Sequence, residues 1–143
     1  MSQQSEARVW RLADLADAGP ARVDFTVTAE DMARFAELSG DHNPLHTDAV
    51  FARGKGFQGV VVYGGLLTAK VSQLIGMRLP GRDSVWAGLS LAFRKPLYVG
   101  QAAQVEGSVT EVSESTGMVT LALTVRAEGK VLAKGTAEVV VVN

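Results

Sequence analysis

Cysteine is absent from this 143-residue chain, and long apolar runs are absent as well. Without a thiol the protein has no disulfide, no thiolate metal ligand and no cysteine nucleophile, a composition that fits a reducing cytosol. The longest apolar runs, such as residues 139–142, are far too short to cross a bilayer. Residues 1–6 are polar and lack the apolar core of a signal peptide, so we expect a cytoplasmic protein.

Excess charge is missing too, since 14 Lys and Arg residues are balanced by 15 Asp and Glu residues. No basic surplus favours nucleic acid as a partner, and no Lys/Arg tract marks a membrane-binding surface. Hydrophobic residues make up 47% of the chain and charged residues 20%, as in ordinary globular proteins. We therefore expect one globular domain that binds neither nucleic acid nor membrane.

The apolar pattern predicts a strand, a helix, an irregular loop, a second helix and four long strands, in that order. Val23, Phe25 and Val27 alternate with polar residues, which is typical of a half-buried strand. Thr28 and Asp31 have the spacing of a capping box, so the first helix is predicted to begin after Thr28 and to end near Gly40. The later strands show the same alternation, for example at Leu89, Leu91 and Phe93, at Val105 and Val109, and at Val119, Leu121, Leu123 and Val125.

The second helix is the most apolar part of the chain. From residue 66 to about residue 77, apolar side chains cover much of the helix circumference, which predicts burial on most sides. Strands grouped after helices indicate an α+β fold. A single antiparallel sheet wrapped around this central helix accounts for its burial without a second domain.

Asp41 and His46 are the first candidate catalytic residues. They lie in a loop that Gly40 and Pro44 stiffen, Pro44 by fixing its own φ and by restricting Asn43. A carboxylate and an imidazole beside one water supply general acid–base catalysis. Asp, Asn and Pro also favour ordinary turns, so the pattern alone leaves a purely structural interpretation open. No metal is expected, because no familiar zinc spacing occurs among His42, His46, Asp41 and Asp48.

Tyr63, Gly64 and Gly65 stand directly before the apolar helix and form the second candidate site. The first backbone N–H groups of a helix lack intrahelical partners and sit at the positive end of its dipole. Glycine at this position lets a substrate carbonyl approach closely, which is the construction of an oxyanion hole. Two glycines are equally compatible with a simple tight turn between strand and helix.

Residues 35–48, FAELSGDHNPLHTD, resemble the hydratase signature of MaoC-like dehydratases and (R)-specific enoyl-CoA hydratases. Residues 93–100, FRKPLYVG, are similar to the strand and turn that follow the central helix in those proteins. The resemblance extends from about residue 21 to the end of the chain. It implies a single hot-dog domain over residues 21–143, with residues 1–20 as an N-terminal extension.

The resemblance also implies an activity. Such an enzyme reversibly hydrates a trans-2-enoyl-CoA to an (R)-3-hydroxyacyl-CoA without a cofactor, and it works as a homodimer or a dimer of dimers. Asp41 and His46 are expected to activate the water, and the backbone N–H of Gly64 is expected to meet the thioester oxygen. The substrate is further expected to contact Asn43, Tyr63, Gly65 and Ser72, of which Ser72 would order the site through its hydroxyl.

Two positions depart from the family pattern. The family often has His-Gly where this chain has Tyr63-Gly64, and an acid after Val-Gly where this chain has Gln101. A phenol stays a neutral donor where an imidazole could titrate, so the oxyanion side of this site is expected to differ.

The substrate needs an apolar path and a basic contact. The acyl chain is expected beside the helix, from Leu67 to Ile75. For the CoA diphosphate the candidate cations are Arg94, Lys95, Arg53 and Lys55. Acyl-carrier protein is an alternative carrier, because its acidic surface would seek the same cations.

Two other functions remain open on the sequence. A hot-dog thioesterase would use a carboxylate that is usually carried by the central helix, and this helix has no Asp or Glu between Leu66 and Pro80. A non-catalytic module that binds acyl thioesters is the other alternative. Tyr63 is the feature most compatible with that second function.

Overall fold

The computed structural model describes residues 6–143, and this range contains one five-stranded sheet and four α-helices. The strands are β1 (Ala21–Thr26), β2 (Ser84–Phe93), β3 (Ala102–Val112), β4 (Met118–Ala127) and β5 (Lys130–Val141). The helices are α1 (Ala29–Ser39), α2 (Pro44–Thr47), α3 (Ala49–Gly54) and α4 (Gly64–Met77). No helix of the described range is both long enough and apolar enough to cross a membrane.

The sheet has the strand order β1-β3-β4-β5-β2, and every neighbouring pair is antiparallel. Along β4, alternate residues from Val119 to Ala127 are buried, and the opposite residues Val105 and Ala137 continue this apolar face onto β3 and β5. The predicted alternation and the α+β class are confirmed. One face of the sheet therefore supplies the floor of the core.

Helix α4 lies on this face, which is the hot-dog arrangement. Leu67, Val71, Leu74 and Ile75 are buried within the core. A Cβ atom at Gly107 would lie 2.7 Å from Leu74 Cδ2, so the missing side chain lets α4 approach β3 closely. The helix starts at Gly64, two residues earlier than predicted.

The opposite face of α4 is open, contrary to the predicted burial on most sides. Gly65, Ala69, Ser72 and Gln73 are exposed in the single subunit. The physical reason is that one sheet covers only one side of a helix, so the small and polar residues on the other side of α4 lie uncovered.

Helix α1 begins and ends as predicted. Thr28 accepts a hydrogen bond from the Asp31 N–H, and the Asp31 side chain accepts one from the Thr28 N–H, which completes the capping box. Gly40 closes the helix in the left-handed conformation, with φ of 75°. The segment after it is more regular than predicted, because Asn43 and Asp48 act as N-caps and start the short helices α2 and α3.

The residues before β1 pack onto the domain. Leu15, in a short 3-10 helix (Leu12–Asp17), is fully buried in the core. The Trp10 indole donates to the Arg78 carbonyl at the end of α4, and the Asn143 side chain donates to the Trp10 carbonyl. Residues 1–5, which begin the expected N-terminal extension and on which the signal-peptide argument partly rests, lie outside the described residues.

Candidate active site

Three distant parts of the chain meet at the extended segment of residues 61–63. The Val61 N–H donates to the Leu45 carbonyl at 3.1 Å, and the Val62 N–H donates to the Leu97 carbonyl at 2.9 Å. The segment therefore joins the loop that carries Asp41 and His46 to the turn after β2. Since residue 63 is followed by α4, the start of that helix is fixed at the same place.

His46 is held by a short hydrogen bond between its ring and the backbone. Its Nδ1 atom lies 2.6 Å from the Val61 carbonyl oxygen. A carbonyl oxygen only accepts, so Nδ1 must carry the proton and donate it. The neutral ring then has its lone pair on Nε2, which makes Nε2 the proton acceptor of the imidazole.

Tyr63 lies at the centre of the site and is only 1% exposed. Its hydroxyl donates to the Asp41 carbonyl oxygen at 2.6 Å. Its ring stacks on the His46 imidazole, with centroids 4.2 Å apart, and packs against Phe35 of α1 at 4.6 Å. Burial, together with the negative charge of Asp41, raises the pKa of the Tyr63 phenol, so the hydroxyl remains a neutral donor.

Asp41 and Asn43 are organised by local backbone bonds. The Asp41 carboxylate accepts the Asn43 N–H at 3.0 Å, and the Asn43 side chain accepts the Leu45 N–H at 2.9 Å. The His46 N–H in turn donates to the Asn43 carbonyl. These bonds hold the loop in one conformation while the Asp41 side chain stays exposed.

The N-terminus of α4 offers two backbone donors. Among the described residues, neither the Gly64 N–H nor the Gly65 N–H has a backbone or side-chain acceptor, as expected for the first residues of a helix. The Phe93 ring lies over Gly64, where a Cβ would be 3.1 Å from Phe93 Cζ. The Phe35 ring lies over Gly65, where a Cβ would be 2.3 Å from Phe35 Cζ.

A cavity of about 300 Å³ brings several of the predicted residues together. His46, Gly64, Arg94 and Lys95 all line it. The rest of its wall is apolar and consists of Phe57, Val61, Val62, Leu67, Phe93, Pro96 and Leu97. A proton acceptor, a free helix N-terminus and two cations thus open into one mostly apolar space.

A second cavity, of about 310 Å³, also has His46 in its wall. Its lining comes mainly from apolar residues of α1, including Met32 and Ala36, and from Val60 and Val99. His46 is the residue that both cavities share. Apolar surface therefore adjoins the imidazole in both cavities.

Other predicted residues lie outside the walls of the first cavity. The hydrogen bonds and the ring contact described above connect His46 to Asp41, Asn43 and Tyr63, none of which lines this cavity. Gly65 and Ser72 lie on the exposed face of α4, and of the expected acyl path from Leu67 to Ile75 only Leu67 reaches the cavity.

The remaining candidate residues named from the sequence lie outside the first cavity. Arg53 and Lys55 lie at the end of α3, and Arg53 lines a separate groove beside Tyr98. His42 is exposed and lies 3.9 Å from Glu37. Within residues 6–143, no group of three or more His, Asp or Glu side chains is placed to hold a metal ion.

Three contributions were not predicted from the sequence. The sequence placed Phe93 in a strand at the start of the 93–100 segment and Phe35 in the first helix and the signature, while Val61 was an apolar residue leading into the second helix. None of the three was predicted as a site residue. The aromatic residues could have been suspected from their position beside the signature and the glycines. The Val61 carbonyl carries no sequence signal, because every residue has the same backbone acceptor.

Comparison with known proteins identifies related chains. Residues 14–136 match the family model described as MaoC like domain. An (R)-specific enoyl-CoA hydratase from Aeromonas caviae is 40% identical over 113 residues, which cover 79% of this chain and 84% of that protein. An (R)-specific enoyl-CoA hydratase from Rhodospirillum rubrum is 30% identical over 128 residues, or 90% and 89% of the two chains.

Solved structures agree with these relatives. The structure of an (R)-hydratase from A. caviae involved in PHA biosynthesis superposes with a TM-score of 0.83 and 36% identity, covering 87% of this chain and 95% of that one. An R-hydratase from Pseudomonas aeruginosa in the unliganded form gives a TM-score of 0.80 and 31% identity, covering 86% and 79%.

An antiparallel sheet packed against a long helix, with His46 and the helix N-terminus lining one cavity, defines the class of hot-dog proteins. Within that class, the chain belongs to the MaoC-like domain family. The resemblance seen in residues 35–48 is thereby confirmed.

Proposed function

We propose that the protein is a hydro-lyase that reversibly hydrates trans-2-enoyl-CoA to (R)-3-hydroxyacyl-CoA. The observation that carries this proposal is the shared cavity, which both His46 and Gly64 line and whose wall is mostly apolar. The (R) configuration is supported by the two related enzymes named (R)-specific hydratases.

The proposed roles in the reaction follow from the resemblance of residues 35–48 to the hydratase signature and from the cavity that His46 and Gly64 line. The water that attacks C3 has two hydrogens, which the Asp41 carboxylate and the His46 Nε2 can accept. As the water oxygen bonds C3, the C2=C3 electron pair moves toward the thioester, and negative charge grows on the thioester oxygen. The Gly64 N–H stabilises that charge at the positive end of α4. The proton removed from water is then returned to C2, so no proton is gained or lost.

The carrier group is proposed to be CoA. Arg94 and Lys95 are exposed and line the same cavity as His46 and Gly64, and cations suit a diphosphate. Arg53 and Lys55 belong to another part of the surface and are less suited to this contact. The acyl portion meets apolar walls, Val62 and Leu67 among them. A cytoplasmic location fits the absence of cysteine.

The other two functions have less support. A thioesterase of this fold would need a carboxylate on α4, and residues Gly64–Met77 contain none. A non-catalytic binding module needs no proton acceptor in its cavity, whereas the Nδ1–H bond to Val61 leaves His46 Nε2 free to act as one. We therefore place the hydratase first.

A homodimer is proposed as the working form. Strand β2 is an edge of the sheet, and its sequence SVWAGLSLAF has no charged residue and no proline to protect that edge. The other edge, β1, carries Arg22 and Asp24. The exposed face of α4, with Gly65, Ala69 and Ser72, offers small residues to a second subunit. A second copy of the chain would cover both surfaces.

The assay that tests this function follows the loss of the conjugated enoyl thioester absorbance with crotonyl-CoA and longer enoyl-CoAs. Asp41→Asn and His46→Gln keep the size of each side chain but remove a titrating group. Each is expected to lower kcat by about 10²–10⁴-fold, the usual contribution of a general acid or base. Thermal unfolding should change little, because neither side chain is part of the core.

The chain provides matched controls for both changes. His42→Gln alters the other histidine, which faces Glu37 outside the cavity, and Asp17→Asn alters an exposed carboxylate near the N-terminus. Both should keep wild-type kcat. A folded Asp41→Asn or His46→Gln enzyme that retains more than about a tenth of wild-type kcat would contradict the assignment. Hydrolysis of the thioester without hydration would favour the thioesterase, and binding without turnover would favour the binding module.

A further inference from the structure

We propose that Tyr63 is a positioning residue that holds the backbone of Asp41 and the imidazole of His46 in register with the N-terminus of α4. The proposal rests on the hydratase function above. It gives Tyr63 a role different from the substrate contact expected from the sequence, because the phenol has another partner.

Tyr63 is connected to Asp41, to His46 and to the start of α4. The Tyr63 hydroxyl donates to the Asp41 carbonyl at 2.6 Å, and the ring stacks on His46 with centroids 4.2 Å apart. The Tyr63 backbone continues directly into Gly64 and serves as the N-cap of α4. Tyr63 is therefore in contact with the proposed base, with its partner imidazole and with the residue that supplies the oxyanion donor.

The surroundings of the ring make this connection rigid. Phe35 of α1 packs against the ring 4.6 Å from its centroid, and Phe35 in turn lies directly over Gly65. The side chain is buried between α1, α2 and α4, so its hydroxyl is directed at the Asp41 carbonyl and is not free for a substrate oxygen. The Asp41 loop has no other side-chain hydrogen bond to α4 among the described residues.

The hydration reaction requires a fixed geometry between the Asp41 loop and the start of α4. The water must be held at C3 by Asp41 and His46 while the thioester oxygen lies at the Gly64 N–H, so the two halves of the site must keep a fixed separation. A misplacement of about 1 Å in groups of this kind can cost on the order of 10²-fold in rate. Tyr63 is the residue that fixes this separation.

The experiment is a double-mutant cycle between Tyr63→Phe and Asp41→Asn. Tyr63→Phe keeps the aromatic ring and its stacking and removes only the hydroxyl bond to Asp41. In the wild-type background it is expected to lower kcat about 10- to 100-fold with little change in KM. In the Asp41→Asn background it should change kcat by less than about two-fold, because Tyr63 acts on catalysis through Asp41.

The matched control is Tyr98→Phe, the other tyrosine of the chain. The Tyr98 hydroxyl also bonds to backbone, accepting the Gln58 N–H at 3.1 Å, but it touches neither Asp41 nor His46. Its removal should leave kcat unchanged. An equal loss of kcat from Tyr63→Phe in both backgrounds, or no loss in the wild type, would overturn the proposal.

A second measurement does not depend on activity or on the folding of a variant. In the wild-type protein, NMR should show one tyrosine hydroxyl proton that exchanges slowly and lies close to the Asp41 and Asn43 backbone. Absence of that proton would overturn the proposal even in an active enzyme. If the wild type hydrates no enoyl thioester, the hydratase assignment fails, and the slow hydroxyl proton still tests whether Tyr63 holds the Asp41 loop.

Discussion

Gly64 and Gly65 are neighbours at the start of α4, and the absence of a side chain has a different consequence at each. At Gly64 the missing Cβ leaves space in the cavity, and its nearest neighbour is the ring of Phe93, which is 54% exposed. At Gly65 the space is taken by the ring of Phe35. The first glycine therefore borders the cavity, and the second allows the close contact between α1 and α4.

Alanine at each position should separate these two consequences. Gly64→Ala is expected to change the free energy of unfolding by less than about 1 kcal/mol, because Phe93 can swing aside. It should lower kcat/KM on the order of 10- to 100-fold, because the methyl group obstructs the oxyanion contact. Gly65→Ala should cost about 1–3 kcal/mol, as is usual for overpacking. Urea denaturation and enoyl-CoA kinetics on both variants check this, and a fully active Gly64→Ala enzyme would contradict a close approach of the thioester oxygen to residue 64.

At the scale of single residues, the sequence indicated candidate site residues but not their tautomers or their contacts. Asp41, His46 and Gly64 could be named because each stands in a short motif whose residue types suit the chemistry. The tautomer of His46 could not be named, because it depends on the carbonyl of Val61, 15 residues away. The position of Phe93 over Gly64 depends on how the end of β2 meets α4, which only the packed sheet determines.

Among the secondary-structure elements, α1 is the one whose two ends are best predicted by nearby residue types. Its capping box and its left-handed Gly40 were predicted from residue types alone, because both depend on bonds within a few residues. The helices α2 and α3 were missed, since the turn residues of segment 41–46 predicted a loop, and Gly54, Gly56 and Gly59 suggested irregular chain after it. In the structure the side chains of Asn43 and Asp48 accept the first N–H groups and overcome that tendency.

The capping box should make α1 sensitive to acid. The hydrogen bond from the Thr28 N–H holds the pKa of Asp31 below its ordinary value. Asp31 therefore binds fewer protons in the folded state than in the unfolded state. Its contribution to folding stability is complete above the pKa of the unfolded state and is lost as the pH falls through the pKa of the folded state. Asp31→Ala is expected to cost on the order of 0.5–1 kcal/mol at neutral pH.

The difference in unfolding free energy between wild type and Asp31→Ala should shrink as the pH falls below about 4. Denaturation of wild type and Asp31→Ala over a series of pH values measures it. A difference that stays constant down to about pH 2 would show that the charge on Asp31 does not contribute.

For the whole molecule, the uncovered surfaces of the single subunit are the main consequence of the fold. The hot-dog sheet covers one side of α4 and leaves β2 at an edge without charge. Composition and periodicity predicted the sheet and the helix, because both follow from the apolar pattern. They did not predict the open face of α4, because small residues such as Gly65 and Ala69 suit a close helix–sheet contact and an open face equally well.

The dimer can be tested on this edge. Light scattering of the wild type at micromolar concentration should give about twice the subunit mass of 15.1 kDa. Leu89→Lys places a charge on β2, where Leu89 is 39% exposed, and should shift the mass toward one subunit. Leu38→Lys places the same charge on α1, at a residue that is 86% exposed, and should leave the dimer intact. A monomeric wild type would rule the dimer out.

The bond between Trp10 and Asn143 has a practical consequence for attaching the enzyme to a support. Both residues lie at the Arg78 end of α4, while the cavity lies at the Gly64 end. The helix has 14 residues, so its ends are about 20 Å apart at 1.5 Å per residue. A linker joined after Asn143 would therefore anchor the protein to a bead or electrode with its cavity directed away from the surface, and substrate could reach the immobilised catalyst from the bulk solution.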